Sequence, residues 1–411
     1  MLKRKDIFVL DLGTSKFCLA AMRFPARSGD PSLETVSVAA AGMRRGMVAN
    51  LVQAKESLLS LLETAERQMG CDITRVTVGI AGSHLTGRQV KTAVALHDER
   101  VSGSHLAQLD KAAKENFKAE GMEVLHAIPS SFRVDDRPPT ADPTGLSGRH
   151  LSGSYFLFEA DSTYLKDVLS LCNQCGLEVK SFAAEPYASS LVTTSQTDKS
   201  LGAVVCDIGG GTTDGVVYLA GRLASSFTVN IAGHMMTNDL AVCLNIPFEE
   251  AERVKASFGV LETPVLERAE FSDVNGRRII IEAAHCRAIL LPRLVELARH
   301  ISQEIAPYRG SIGRGVIVTG GGAEVQGLIE IIESICRLPA VRIRPRIVSQ
   351  GNAAENVFPD TVRIDHSGKL ATAIGMIQDQ LMTSDRARNG ALPQKTPRYF
   401  RKILEWVREL S

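Results

Sequence analysis

Long apolar runs are missing from this sequence: nothing in it approaches the ~18–20 uninterrupted apolar residues of a spanning helix. That excludes a chain threaded through a bilayer by helices. A charge excess is missing too, with 47 Lys and Arg against 46 Asp and Glu and a formal net charge of +1. The balance excludes a nucleic-acid binder held by one basic surface, and equally an acidic, disordered chain. Of the eight cysteines only Cys172 and Cys175 form a Cys-x-x-Cys, with no second pair or nearby histidines to complete a structural zinc site. The other six stand singly, mostly in apolar runs, as reduced thiols do in a reducing compartment. There is no Gly-x-x-x-x-Gly-Lys-Ser/Thr, which excludes a P-loop, and neither Gly209–Gly211 nor Gly320–Gly322 completes Gly-x-Gly-x-x-Gly. After a basic start only Ile7–Leu10 are apolar before Asp11, where a secretory signal needs roughly 7–15, so this segment reads as a strand. The expected location is the cytosol, or a membrane reached from its cytosolic side.

What is present is a packed globular protein, 44% apolar and 23% charged, whose 411 residues allow two to four domains at ~100–200 residues each. Ile7–Leu10, a polar tip at Asp11–Ser15 and Phe17–Met22 read as a β-hairpin. Leucines at 51, 58, 59, 61 and 62 predict a helix over 51–69, followed by a strand at 75–80. From about 84 to 161 the texture changes: strands near 90–96 and 155–158, a helix over 104–121, and a long Pro-, Gly- and Asp-rich loop from Asp135 to Gly153. This reads as an inserted subdomain. The second half opens with Ala203–Cys206, a tip at Asp207–Asp214 and Gly215–Leu219, so strand, polar glycine-rich tip and strand occur twice. Two related halves would set the tips facing across a cleft. The region 235–310 reads as mainly helical, and 316–336 as strand, Gly320–Gly322 and helix.

The tips carry the chemistry. Glycines let backbone N–H groups approach phosphate oxygens, and Thr and Ser hydroxyls add donors. Asp11, Asp207 and Asp214 would repel bare phosphate, so beside one they imply a divalent cation such as Mg²⁺, held through its waters. Asp11 to Lys16 alone reads as readily as an ordinary hairpin turn; three glycines between Asp207 and Asp214 are harder to read that way. Gly320–Gly322, between strand and helix, offers bare backbone to a base or ribose, although glycine is common at such turns. Glu252 and Lys255, three apart on a predicted helix, suit ribose hydroxyls or a surface ion pair equally well.

Taken in order, Asp11-Leu-Gly-Thr-Ser-Lys16, Asp207-Ile-Gly-Gly-Gly-Thr-Thr-Asp214 and Val318-Thr-Gly-Gly-Gly-Ala323 resemble the phosphate-1, phosphate-2 and adenosine motifs of the actin-like ATPase superfamily. Ala183–Ala188 and Leu370–Gly375 are similar to its two connecting helices. Within it the chain most resembles the FtsA family of bacterial cell-division proteins. The residues behind this are Gly79–His84, Ile128-Pro129, Val134-Asp135, Pro143–Gly148, Thr237–Asp239 and Ala251–Lys255.

The resemblance implies an α/β, actin-like fold, two ribonuclease-H-like lobes with an inserted α+β subdomain and a C-terminal amphipathic helix. The expected division is lobe 1 at 1–83 and 162–200 around the insert at 84–161. Lobe 2 has its core at 201–229 and 311–383 and an outer subdomain at 230–310; a linker at 384–397 leads to a helix at 398–411. It implies ATP and Mg²⁺ as cofactors. Phosphate and Mg-water contacts would come from Asp11, Gly13, Thr14, Ser15, Lys16, Asp207, Gly209, Gly210, Gly211, Thr212, Thr213 and Asp214, with no direct metal ligand. Ribose and adenine would meet Glu252, Lys255, Gly320, Gly321, Gly322 and Ala323. Glu185 matches the position that orients the attacking water, with capping of a Pro-initiated helix as its plain alternative. Turnover in the family is feeble, so at most a slow ATPase is expected. Ala232, where the family shows a glycine pair, would narrow the pocket slightly.

The end of the sequence is distinctive. Ser384 to Pro397 is polar with two prolines, and reads as a flexible linker. Beyond it Tyr399, Phe400, Ile403, Leu404, Trp406, Val407 and Leu410 fall within one helical arc of roughly 160°, opposite six charged residues. Trp406 is the chain's only tryptophan. This composition is that of an in-plane anchor on anionic lipids; docking on the parent domain or a partner is the alternative. The resemblance further implies head-to-tail filaments, binding of the FtsZ C-terminal peptide with Arg293 in that site, later division proteins as further partners, and a peripheral place on the cytoplasmic membrane face at the division site. A pilus-assembly actin homologue and a sugar or acetate kinase on the same fold are the competing readings.

Overall fold

The structure, a computed structural model, describes residues 6–24, 31–97, 100–262, 265–346 and 368–388. The first lobe runs β1 (Ile7–Leu12), β2 (Lys16–Arg23), β3 (Ser32–Ala39), a small hairpin of β4 (Met43–Arg44) and β5 (Met47–Val48), α1 (Leu51–Met69) and β6 (Arg75–Ile80). An insertion follows: β7 (Leu85–Ala95), α2 (Gly103–Asn116), β8 (Met122–Val134) and β9 (His150–Asp161). The lobe is completed by α3 (Ser162–Gln174), β10 (Glu178–Ala184), α4 (Glu185–Thr193) and the short α5 (Gln196–Leu201). The second lobe comprises β11 (Ala203–Ile208), β12 (Thr213–Leu219), β13 (Arg222–Val229), α6 (Gly233–Leu244), α7 (Phe248–Phe258), β14 (Arg268–Ser272), β15 (Arg278–Glu282), α8 (Ala283–Ile305), β16 (Gly315–Thr319), α9 (Leu328–Cys336), β17 (Ala340–Arg342) and α10 (Ala371–Arg388).

Two five-stranded sheets carry the lobes, in the orders β10-β6-β1-β2-β3 and β13-β12-β11-β16-β17. In each, an antiparallel meander of three strands is extended by two parallel strands: β6 pairs with β1 and β10, and β16 with β11 and β17. The repeated motif is therefore a repeated topology. Both central hairpins are buried, which is why Val204–Cys206 and Val9–Leu10 read as continuous apolar runs. Helix α1 shows the opposite pattern, burying Ala54, Leu58, Leu61, Leu62, Ala65 and Met69 along one stripe, with Asn50 accepting the Gln53 N–H as its cap.

Helices α4 and α10 cross between the lobes. A side chain at Gly375 would run into the Ala188 carbonyl oxygen, so the two backbones touch there. The insertion is a three-stranded antiparallel sheet in the order β7-β9-β8 with α2 packed on it through Leu109 and Ala113.

The region 235–310 is mainly helical as expected, with a hairpin of β14 and β15 set between α7 and α8. Some expectations are corrected. Helix α2 stops at Asn116, and the long loop of the insert ends before His150, where β9 begins. Helix α10 continues to Arg388, past Ser384 where the linker was expected to start. The rest of that linker and the terminal helix with Tyr399, Phe400, Ile403, Leu404, Trp406, Val407 and Leu410 lie outside the described residues.

Candidate functional site

Hairpin geometry brings the two tips together. The β1–β2 and β11–β12 turns project from the middle strands of their sheets into the space between the lobes. A Cβ on Gly210 would collide with Ser15 Oγ, and one on Gly211 with Thr14 Oγ1, so only glycine admits this approach. Ser15 Oγ also lies 2.8 Å from His234 Nε2, and Thr14 Oγ1 accepts the Gly46 N–H at 3.3 Å. Lys16 Nζ donates to the Lys369 carbonyl at 2.6 Å, tying the first tip to the turn before α10.

Behind the tips lies a cavity of about 890 Å³. Every residue nominated for phosphate, ribose, base or water contact lines it except Thr213 and Ala323. Thr213 is fully buried on the other side of β12, its hydroxyl donating to the Ile231 carbonyl at 2.8 Å. Ala323 is packed in the second lobe's apolar core. Ala232 is fully buried as the residue preceding α6.

The floor of the cavity is a cluster of carboxyls. Burial pushes Asp207 up to about 7; hydroxyls of Thr372 and Ser189 oppose this, and the charges of Asp11 and Asp214 reinforce it. Thr372 Oγ1 donates to Asp207 Oδ2 at 3.0 Å. Burial likewise pushes Asp11 up to about 6 against the nearby Lys16. Asp214 is raised by burial, although it accepts hydrogen bonds from Thr212 Oγ1 at 2.7 Å, Thr228 Oγ1 at 2.6 Å and the Gly82 N–H at 3.1 Å. Glu185, at the first position of α4, is raised well above the usual carboxylate range, by burial and then by Asp11, Asp214 and Asp207 in turn. A helix N-terminus favours a carboxylate, but here the like charges and the loss of water outweigh it. Room for this side chain is made by Gly79, where a Cβ would stand 2.5 Å from Glu185 Oε1. Four carboxyls that resist ionising together form a site for which a divalent cation is the natural counter-charge. Among the described residues no three His, Cys, Asp or Glu side chains are grouped to ligate one ion directly.

On the far wall Glu252 and Lys255 are paired: Lys255 Nζ donates to Glu252 Oε1 at 2.6 Å, to Thr237 Oγ1 at 2.7 Å and to the Gly233 carbonyl at 3.2 Å. Thr237 Oγ1 also donates to Glu252. Lys255 is 8% exposed, so this is a lock between α6 and α7 with its edge on the cavity and not a surface ion pair. Burial lowers the Lys255 pKa, Glu252 raises it, and Lys369 adds to the lowering. Gly320 has φ +91°, and a Cβ there would stand 2.3 Å from Asp207 Oδ1, so only glycine fills the place without strain. Arg293 is remote from the cavity, on α8, where Nε and Nη2 grip Asp239 at 2.7 and 3.1 Å and Nη1 reaches Glu296 at 2.5 Å.

Sequence reasoning did not nominate His234, Lys369, Thr372 or Gly46 as site residues. Thr372 stands inside the Leu370–Gly375 motif and His234 just after Gly233, so both were one step from a recognised signal; Lys369 and Gly46 had none.

A family model described as "Cell division protein FtsA" matches residues 204–375, and a second, "SHS2 domain inserted in FTSA", matches residues 82–158. Together they span well over half of the chain. "Cell division protein FtsA" of Pseudomonas aeruginosa is 28% identical over 346 residues, covering 82% of each chain. The chain belongs to the FtsA family. Among solved structures, the "PilM-PilN type IV pilus biogenesis complex" superposes with a TM-score of 0.60 at 16% identity, covering 95% of this chain and 100% of that one. MreB5 of Spiroplasma citri bound to ADP gives 0.55 at 14%, covering 94% and 99%. At such identities these likenesses establish the fold, which is actin-like. An FtsA-family chain with this fold is an actin-like cell-division protein. No described helix is long and apolar enough to cross a membrane.

Proposed function

We propose that this protein binds Mg-ATP in the cleft, polymerises head to tail on the cytoplasmic face of the membrane at the division site, and anchors the FtsZ ring there. The observation that carries the nucleotide reading is the meeting of two glycine-rich tips over four buried carboxyls. Backbone N–H groups of 13–15 and 210–212 would cradle the phosphates, the Gly209 N–H being donated to the Thr212 carbonyl at 3.0 Å. Asp11, Asp207 and Asp214 would hold Mg²⁺ through its waters, and the cation's charge would let them ionise together. The Glu252–Lys255 edge and Gly320–Gly322 would receive the nucleoside, beside Ala232; the solved relative with ADP bound supports a nucleotide in this fold. Glu185 would orient the attacking water, and turnover is expected to be slow at most.

Anchoring is assigned to 398–411, on the sequence pattern of Tyr399, Phe400, Ile403, Leu404, Trp406, Val407 and Leu410 opposite basic residues. One such helix binds anionic lipid weakly; a filament would present many and raise avidity by roughly 10²–10⁴. For the FtsZ C-terminal peptide the family assignment is the support. Arg293 would serve that site only by releasing Asp239, or by letting the peptide share the pair. Later division proteins would join through the same family relationship. Vesicle pelleting with anionic liposomes and Mg-ATP tests this, comparing the full chain with one ending at Lys395. Pelleting of the full chain alone supports the anchor. Pelleting of neither removes the anchor and leaves the family assignment standing.

A further inference from the structure

Helix α4, which delivers Glu185 to the cleft, begins without a cap of its own. Its N-cap is Ala184, with no side chain to accept a hydrogen bond, and its first residues are Glu185, Pro186 and Tyr187. In a capping box a Glu or Gln three residues on reaches back to the N-cap N–H; Tyr187 cannot. The partner comes from the inserted subdomain: Nε2 of His126, on β8, accepts the Ala184 N–H at 3.0 Å. Aromatic edges hold the ring, with Tyr187 at 5.3 Å and Phe158 at 6.3 Å between centroids. Burial keeps this imidazole below its ordinary value of 6.5; Asp379 on α10 opposes the shift and Lys114 on α2 adds to it. The ring is therefore neutral, with its lone pair on the nitrogen facing Ala184 and its proton on Nδ1. From the other side the Glu185 carboxyl occupies the space that a side chain at Gly79 would take.

We propose that His126 is a positioning residue: the inserted subdomain caps α4 from outside and so fixes Glu185 on the cleft floor. The role of Glu185 in hydrolysis rests on the nucleotide reading above. Helix and insert are otherwise separate in sequence by 58 positions, so this hydrogen bond joins two bodies that the chain does not join locally.

The test uses the full chain as wild type, His126→Leu and His126→Gln. Three quantities are read: affinity for Mg-ATP, single-turnover hydrolysis, and hydrogen exchange of the amides at the start of α4 without nucleotide. Leucine removes the acceptor, and glutamine restores one that does not titrate. The expected result is faster exchange at Ala184 and roughly tenfold or greater loss of turnover in His126→Leu, with affinity within about twofold. Glutamine is expected to recover most of both. Unchanged turnover in His126→Leu, or a loss that glutamine does not restore, overturns the proposal. So does a wild-type chain that binds Mg-ATP without turning it over, which leaves the binding reading standing. A wild-type chain that binds no Mg-ATP removes both.

Discussion

Replacing Asp207 by Asn is expected to stabilise the nucleotide-free protein while disabling the cleft. The fold holds the Asp207 proton more tightly than the unfolded chain does, with a value near 7 against an ordinary 3.8. Stability from this group is therefore greatest below pH 3.8 and is lost as pH rises through about 7. At 1.36 kcal/mol per pH unit the whole span amounts to on the order of 4 kcal/mol. Between pH 5 and 7, with Asp11 relaxing in response, about 2–3 kcal/mol remains. Asn stays neutral throughout and can still accept the Thr372 hydroxyl. Urea denaturation at pH 5, 6, 7 and 8 should show the variant's advantage over wild type growing by that amount and levelling off above pH 7. Adding Mg-ATP at pH 8 should reverse the ranking, because only the wild type recovers stability by binding. Parallel pH profiles for the two chains would refute the carboxylate argument, as would a wild type more stable than the variant in nucleotide-free buffer at pH 8.

Gly79→Ala should force the Glu185 carboxyl to move, costing about 1–3 kcal/mol by urea denaturation and lowering turnover more than affinity for Mg-ATP. Gly375→Ala should separate α4 from α10 at a contact of backbone on backbone, seen as a fall of several degrees in Tm. Lys255→Ala leaves Glu252 half-exposed and Thr237 buried without their cation; a loss of about 1–3 kcal/mol in stability and weaker nucleotide binding are expected by calorimetry. Arg293→Ala strips Asp239 of a bidentate partner, so a destabilisation of about 1–2 kcal/mol should accompany any effect on peptide binding in a fluorescence titration.

Much of the fold was legible because its signals are local. Apolar runs broken by glycine-rich tips gave both central hairpins, and the leucine spacing gave α1 to the residue. The hairpin β14–β15 was passed over although Asn275-Gly276 sits between Phe271 and Ile279–Ile281, a turn signal that a helical reading of the surrounding region submerged. Strand β8 was hidden differently. Pro129 lies within it and two bulges interrupt its alternation, which an edge strand of the β7-β9-β8 sheet tolerates. At the site, motif spacing located residues but not the direction of their side chains. Thr213, the first residue of β12, alternates with Thr212 before it and Asp214 after it and so faces away, a period-two argument open to the sequence alone. The pairing of Arg293 with Asp239 joins positions 54 apart, and the capping of α4 by His126 joins a strand of the insert to a helix of the lobe. Neither leaves a pattern in a single stretch of sequence.

The crossing of α4 and α10 at Ala188 and Gly375 has a mechanical consequence. Backbone lies on backbone at that one point, and around it Val192 of α4 packs with Ile374, Ile377 and Leu381 of α10 in a single buried cluster. Were the lobes to turn about this crossing like the arms of a caliper, their jaws would be the tips at 13–15 and 209–211, which line the cleft between them.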